Sequence, residues 1–294
     1  MVLFYLCHHL KLGSDFFESF CMSLFCHALV HIGPLAVLTL GCCQEVLGCA
    51  LYLAAHEVLE PQFGVFLLVG CCLLKDVGYL HITVFLGLAG KDDIEATNEN
   101  RDPDYDEIRD FSRECFVPFC VGGGIHNIEQ IRQLLRAGAD KVAINTAAYS
   151  NISLITEGAD LFGSQCIVAS IDCRKIGTEY HCFSHNGTVD TGYQVEQWAK
   201  KVVDAGAGEI LLTSIELDGT MEGYDIELIK KVTASVSVPV IASGGAGNYE
   251  HMREAIVDAG ASAVAAASIY HFTEQTPREA KEYLQEHGVE VRLI

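Results

Sequence analysis

Positive charge is scarce in this 294-residue chain: 19 lysines and arginines face 39 aspartates and glutamates, for a formal net charge of −20. Repulsion excludes nucleic acid as a partner, and an anionic ligand has to be gripped by local backbone dipoles rather than by the overall field. Metal-module spacing is missing as well. The thirteen cysteines include no CxxC pair and no Cys/His zinc pattern, which argues against both a metal site and a disulfide framework and makes the cytoplasm the natural compartment. Cys115, Cys120, Cys166, Cys173 and Cys182 read as small core residues.

The first 92 residues lack more. They contain no arginine and only three lysines, Lys11, Lys75 and Lys91, yet hold eight of the thirteen cysteines, and residues 19–44 carry no Asp, Glu, Lys or Arg. That run is long enough for a membrane-spanning helix, but His27, His31, Pro34 and the Cys42-Cys43 pair fit a bilayer poorly. No basic n-region or small-residue cleavage site marks a signal peptide. Three readings stay open: a membrane anchor, an extra buried helical layer, or sequence that is not the native product. The abrupt break in composition favours the third. The chain is accordingly divided into an atypical apolar, cysteine-rich segment, 1–92, and a barrel domain, 93–294.

From Asp93 onward, short Val/Ile/Ala-rich runs alternate with amphipathic polar stretches, the pattern of a parallel sheet with covered faces. Strands are expected near 116–121, 141–145, 166–172, 209–214, 238–242 and 263–267. Helices are expected over 128–137, 153–162, 194–205, 225–232 and 249–259, with Gly138, Gly206 and Gly260 at helix ends. A further strand ending at residues 93–97 makes seven. The fold class is α/β, a (β/α)8 TIM-type barrel whose first strands and helix are atypical or incomplete, since such a barrel needs eight strands.

An internal repeat runs through this domain. With Pro118 set over Pro239, Asn127 falls on Asn248, Glu129 on Glu250 and Arg132 on Arg253; after one inserted residue, Gly138-Ala139 falls on Gly260-Ala261 and residues 142–146 on 264–268. Each copy carries a glycine-rich strand end, Val121-Gly122-Gly123-Gly124-Ile125 and Ala242-Ser243-Gly244-Gly245-Ala246. Backbone N–H groups converging from such loops hold a phosphate dianion, because glycine permits the close approach. Two copies point to a small-molecule substrate with two phosphates. Tight turns alone would also use these glycines.

Asp172 ends the apolar run Ile167-Val168-Ala169-Ser170-Ile171, where a barrel places a general acid or base; a helix-capping role is the alternative. Asp218, in Asp218-Gly219-Thr220, suits a site or a plain turn. Asn145-Thr146, Thr213-Ser214 and Ala267-Ser268 add small polar donors at three strand ends, suited to phosphate and sugar contacts.

Over about two thirds of its length, the chain resembles the cyclase subunits of imidazole glycerol phosphate synthase. The resemblance is carried by Val121 to Ile125, Ala139 to Ala148, Phe162-Gly163-Ser164-Gln165, Gly206 to Ile215, Asp218-Gly219-Thr220, Gly223-Tyr224-Asp225 and Ala242 to Gly247. It implies a barrel that receives ammonia through its core from a glutaminase partner, as a heterodimer, and needs no cofactor. Ammonia reacts in that family with a bisphosphorylated ribulosyl aminoimidazole carboxamide intermediate, giving imidazole glycerol phosphate and an aminoimidazole carboxamide ribonucleotide in histidine biosynthesis. Asp172 matches the family's catalytic aspartate. Gly123 and Asn145 match one phosphate site; Asp218, Ser243, Gly244, Gly245 and Ser268 match the other and its surroundings. Lys141 and Glu209 match two members of a charged gate at the ammonia entrance.

The first strand departs from that pattern. The family has a second catalytic aspartate there; in Cys71-Cys72-Leu73-Leu74-Lys75-Asp76 the position is Leu73. Ring closure needs one carboxylate to donate and one to accept a proton, so the departure predicts slow or absent cyclisation. Only fourteen residues separate Gly78 from Asp93, too few for a helix and a strand. A Cys-Leu-Leu first strand with Glu114-Cys115-Phe116-Val117-Pro118 also resembles a paralogous group that supplies ammonia for amidination of nucleotide-linked sugars in surface polysaccharide synthesis. A catalytically impaired scaffold is a third reading.

Overall fold

The computed structural model describes residues 65–74 and 79–88 as backbone strands and residues 103–291 in full, except Phe116 and the side chain of Glu114. Ten strands form one sheet. β1 (Val65–Leu74) and β2 (Tyr79–Leu88) pair antiparallel, Leu73 opposite Leu80. Next come α1 (Tyr105–Glu114), β3 (Phe119–Gly122), α2 (Ile128–Ala137), β4 (Lys141–Ile144), α3 (Thr146–Ser150), α4 (Ser153–Phe162) and β5 (Ile167–Ile176). A hairpin of β6 (Glu179–Ser184) and β7 (Val189–Gln194) leads into α5 (Val195–Asp204), β8 (Glu209–Ser214), α6 (Ile226–Thr233), β9 (Val240–Ser243) and α7 (Tyr249–Arg253). The chain continues as one π-helical turn over Glu254–Asp258, then β10 (Ala263–Val264), α8 (Ser268–Phe272) and α9 (Pro277–Glu286).

The strand order is β1-β2-β3-β4-β5-β8-β9-β10, parallel from β2 onward, and β1 lies beside β10 so that eight strands ring the core. The barrel therefore finds its eight strands with an atypical beginning: β1 runs against its neighbour, and only four residues join it to β2. A helix crossover needs far more chain, so a hairpin is what so short a connection permits. Both strands precede Asp93. The strand expected to end at residues 93–97, like the whole apolar run 19–44, lies outside the described residues.

Downstream the expected elements form, with two adjustments. The strand expected over 263–267 is reduced to Ala263–Val264, and the helix over 249–259 changes to π geometry at Glu254. The repeat is structural as well as sequential. Asn127 and Asn248 cap α2 and α7 in the same way, each side-chain oxygen accepting from the backbone N–H three residues on, both at 2.9 Å. Glu129–Arg132 and Glu250–Arg253 are the same i,i+3 ion pair on each helix.

Strand alternation sorts the barrel interior into layers. Cys120, Ala143, Val168, Leu211, Ile241, Ala263 and Ala265 form a buried apolar cluster through the middle. Two residues earlier on β4 and β8 stand Lys141 and Glu209; two or four residues later come Asn145, Asp172, Thr213 and Ser243. Cys120, Cys173 and Cys182 are buried as expected, whereas Cys115 and Cys166 are only half-buried.

Candidate functional site

Asp172 sits at the carboxyl end of the barrel with its neighbours in register: it pairs with Thr213 on β8, which pairs with Ser243 on β9. Odd-numbered residues of β5 from Ile167 to Cys173 are buried under the helices, while Ser170, Asp172 and Arg174 are mostly but not fully buried on the face toward the mouth. Asn145 Nδ2 donates to Asp172 Oδ2 at 2.8 Å. Burial among apolar walls pushes the Asp172 carboxyl up to about 6; the Asn145 hydrogen bond opposes this and the charge of Asp218 adds to it. A carboxyl poised there can both give and take a proton near neutral pH. Among the described residues no helix is capped by Asp172; the next helix, α5, starts after Gln194.

The C-terminal glycine loop builds a small open cleft, lined by Asp218, Ser243, Gly244, Gly245 and Ser268 among others. Gly244 and Gly245 have φ of +90° and +102°. A Cβ on Gly245 would lie 2.0 Å from the Gly223 carbonyl oxygen, and one on Gly247 would lie 1.9 Å from that of Met221. The Gly223 N–H donates back to the Gly245 carbonyl at 2.7 Å. These glycines are thus required by loop-on-loop packing as well as by any ligand. In the same stretch, Tyr224 donates through its hydroxyl to the Ala265 carbonyl and Asp225 caps α6, so the Gly223-Tyr224-Asp225 motif holds the cleft's outer lip. Asp218 is exposed at the rim; partial burial of its carboxyl raises its pKa, opposed by the Gly219 N–H.

The N-terminal glycine loop is arranged differently. Gly123 and Gly124 also have positive φ, +111° and +62°. Asn145, however, is engaged with Asp172, and Thr146 Oγ1 accepts the His185 N–H at 3.0 Å. The other donor comes from the β6–β7 turn, where Gly187 also packs near Ile215 at the end of β8. This hairpin, standing over the mouth beside Asp172, was not anticipated from the sequence. Asn186-Gly187, both at positive φ and preceded by the alternating run Tyr180 to Phe183, is the signal that marks it.

At the opposite end Lys141 and Glu209 form a half-buried ion pair across 68 residues of sequence. Leu73 lies at that end too. Because β1 runs against β2, its final residues pair with the start of β2, away from the mouth. The register position expected to carry a second catalytic carboxylate is therefore on the floor of the barrel. Among the described residues no helix is long and apolar enough to cross a membrane.

Comparison with known proteins agrees with this geometry. Residues 92–276 match the family model described as histidine biosynthesis protein. Imidazole glycerol phosphate synthase subunit HisF from Pelodictyon phaeoclathratiforme is 48% identical over 201 residues, 68% of this chain and 80% of the relative. The subunits of that name from Chlorobium phaeobacteroides and Chloroherpeton thalassium are 49% and 48% identical over the same shares. With a duplicated half-barrel, paired glycine loops and close relatives across two thirds of its length, the chain belongs to the histidine biosynthesis protein family.

Proposed function

We propose that the protein is the cyclase subunit of an imidazole glycerol phosphate synthase. It combines ammonia with a bisphosphorylated ribulosyl aminoimidazole carboxamide intermediate and releases imidazole glycerol phosphate and an aminoimidazole carboxamide ribonucleotide. The observation that carries the reading is Asp172 at the mouth, its carboxyl raised to about 6, between the two copies of the glycine loop. Asp172 is the general acid or base. Asp218, whose charge bears on Asp172, belongs to the surroundings of one phosphate site.

The cleft of Ser243, Gly244, Gly245 and Ser268 anchors one phosphate, and Gly123 with Asn145 and Thr146 anchors the other; Thr213 lies between. Lys141 and Glu209 gate ammonia delivered by a glutaminase docked on the floor, in a heterodimer working in the cytoplasm. Residues 93–294 carry this chemistry. Ammonium salt in place of the partner, with the ribulosyl intermediate and an absorbance readout, tests the proposal; folded protein without turnover would reject it.

A second reading, ammonia supply for amidination of nucleotide-linked sugars, is favoured by Leu73 and by the position of that residue at the floor. It requires ammonia transfer through the barrel without consumption of the ribulosyl intermediate. Glutaminase activity that rises when the two proteins are mixed, with no imidazole product, would select it.

A further inference from the structure

Basic side chains in this molecule are outnumbered by acidic ones, and those on the described surface are mostly paired. Lys175 bonds Glu227 at 2.6 Å, Lys231 meets Glu196, and Arg253 spans Glu250 and Asp258. Arg174, like Arg136, Lys200, Lys201, Lys230 and Lys281, forms no ion pair among the described residues, and of these it alone stands on β5 next to Asp172. It is one residue from the paired Lys175. Its guanidinium lies instead over the Phe183 ring, 5.0 Å from the centroid.

The place of that stack is fixed by the sheet. Arg174 is two residues beyond Asp172 on the same face of β5, and Phe183 is the direct cross-strand partner of Asp172 on β6. The guanidinium is thus folded back over the buried ring of the residue paired with Asp172, on the strand midway in sheet order between the two glycine loops, with no acid on its donors among the described residues. A planar cation resting on an aromatic face is held for bidentate donation rather than left to wander.

We infer that Arg174, seated on Phe183, is a substrate-binding residue that donates to the carboxamide oxygen of the aminoimidazole carboxamide moiety. The inference rests on the proposed function for the identity of the substrate. If its two phosphates are anchored at the two glycine loops, the stretch that reaches the β5 mouth is the uncharged middle of the molecule. There the carboxamide oxygen, with two lone pairs, is an acceptor for the guanidinium N–H groups.

Calorimetry with the two products separates this contact from general anion binding, because only the ribonucleotide keeps the carboxamide. Arg174→Gln is expected to weaken the aminoimidazole carboxamide ribonucleotide about tenfold, the scale of one hydrogen bond from a charged donor, and to leave imidazole glycerol phosphate within about twofold. Arg174→Lys should recover part of the loss, and Lys175→Gln should change neither affinity. Unaltered affinity of Arg174→Gln for the ribonucleotide, or equal weakening of both products, overturns the inference while the proposed function stands. A parent protein that binds neither product overturns the proposed function and this inference with it.

Discussion

The two copies of the repeated unit share a scaffold and differ in what their strand ends touch. In both, an asparagine caps the helix and a Glu–Arg pair braces it. The C-terminal copy leaves an open cleft between its glycine loop and Ser268, whereas the N-terminal copy commits Asn145 to Asp172 and Thr146 to the overhanging hairpin. The repeat thus keeps what folds the unit and varies its strand ends: in one half they line an open cleft, in the other they hold the Asp172 carboxyl and the hairpin.

The largest effect tests the residue on which the halves converge. Asp172→Asn should lower turnover with ammonium by about a thousandfold or more, the usual scale for losing a general acid or base. Its stability should change in the opposite sense. With a folded pKa of about 6 the native chain holds this proton more tightly than the unfolded chain, so the associated stability is full below about pH 4 and is lost as pH rises through 6. At most about 3 kcal/mol is involved, from roughly two pKa units. Urea unfolding of Asp172→Asn should therefore exceed the parent at pH 8 and converge with it at pH 4; a constant gap would refute the buried-carboxyl account.

Next come the glycines. Gly245→Ala confronts both a positive φ and a carbonyl oxygen at 2.0 Å, and should cost about 3 kcal/mol or more in unfolding free energy. Gly123→Ala meets the φ strain at +111° and should cost about 1–2 kcal/mol. Equal losses would erase the contrast between the copies. Asn145→Ala removes the hydrogen bond that holds the Asp172 pKa down, so the ionisation seen in the pH–rate profile should move upward, with activity reduced about tenfold. The matching change in the C-terminal copy, Ala267→Asn, should leave that profile in place.

The capping pair gives a smaller and symmetrical effect: Asn127→Ala and Asn248→Ala should each lower stability by about 1 kcal/mol. Smallest of all is Leu73→Asp, for which no gain in turnover is expected, because β1 delivers that position to the floor. An increase would show that the first strand runs with its neighbours rather than against them.

What the sequence made legible follows from the range of the interactions involved. The βα alternation is written in local periodicity and the repeat in matched residues half a barrel apart, and the structure forms both; Asp172 is on its strand as expected, but the strand runs on to Ile176 instead of ending there. Lys141 and Glu209 could be paired only through the family resemblance, since 68 residues separate them. The β6–β7 hairpin is hard to see in the sequence because β5 continues unbroken from barrel strand to flap, so that no boundary residue marks the change after Asp172. The reversal of β1 is a matter of connection length. Four residues between two apolar strands exclude a helix, but the strand's direction decides which end of the barrel Leu73 occupies.

The interlocked glycines have a kinetic consequence. The Gly244–Gly247 loop and the 217–223 loop pack backbone against backbone and are joined by the hydrogen bond from the Gly223 N–H to the Gly245 carbonyl. Prising them apart would break that bond and the packing around it, which disfavours such an entry for a ligand. The favoured route is through the open side into a mould already set, so capture at this end should be governed by diffusion and desolvation, with little ordering of the protein left to do.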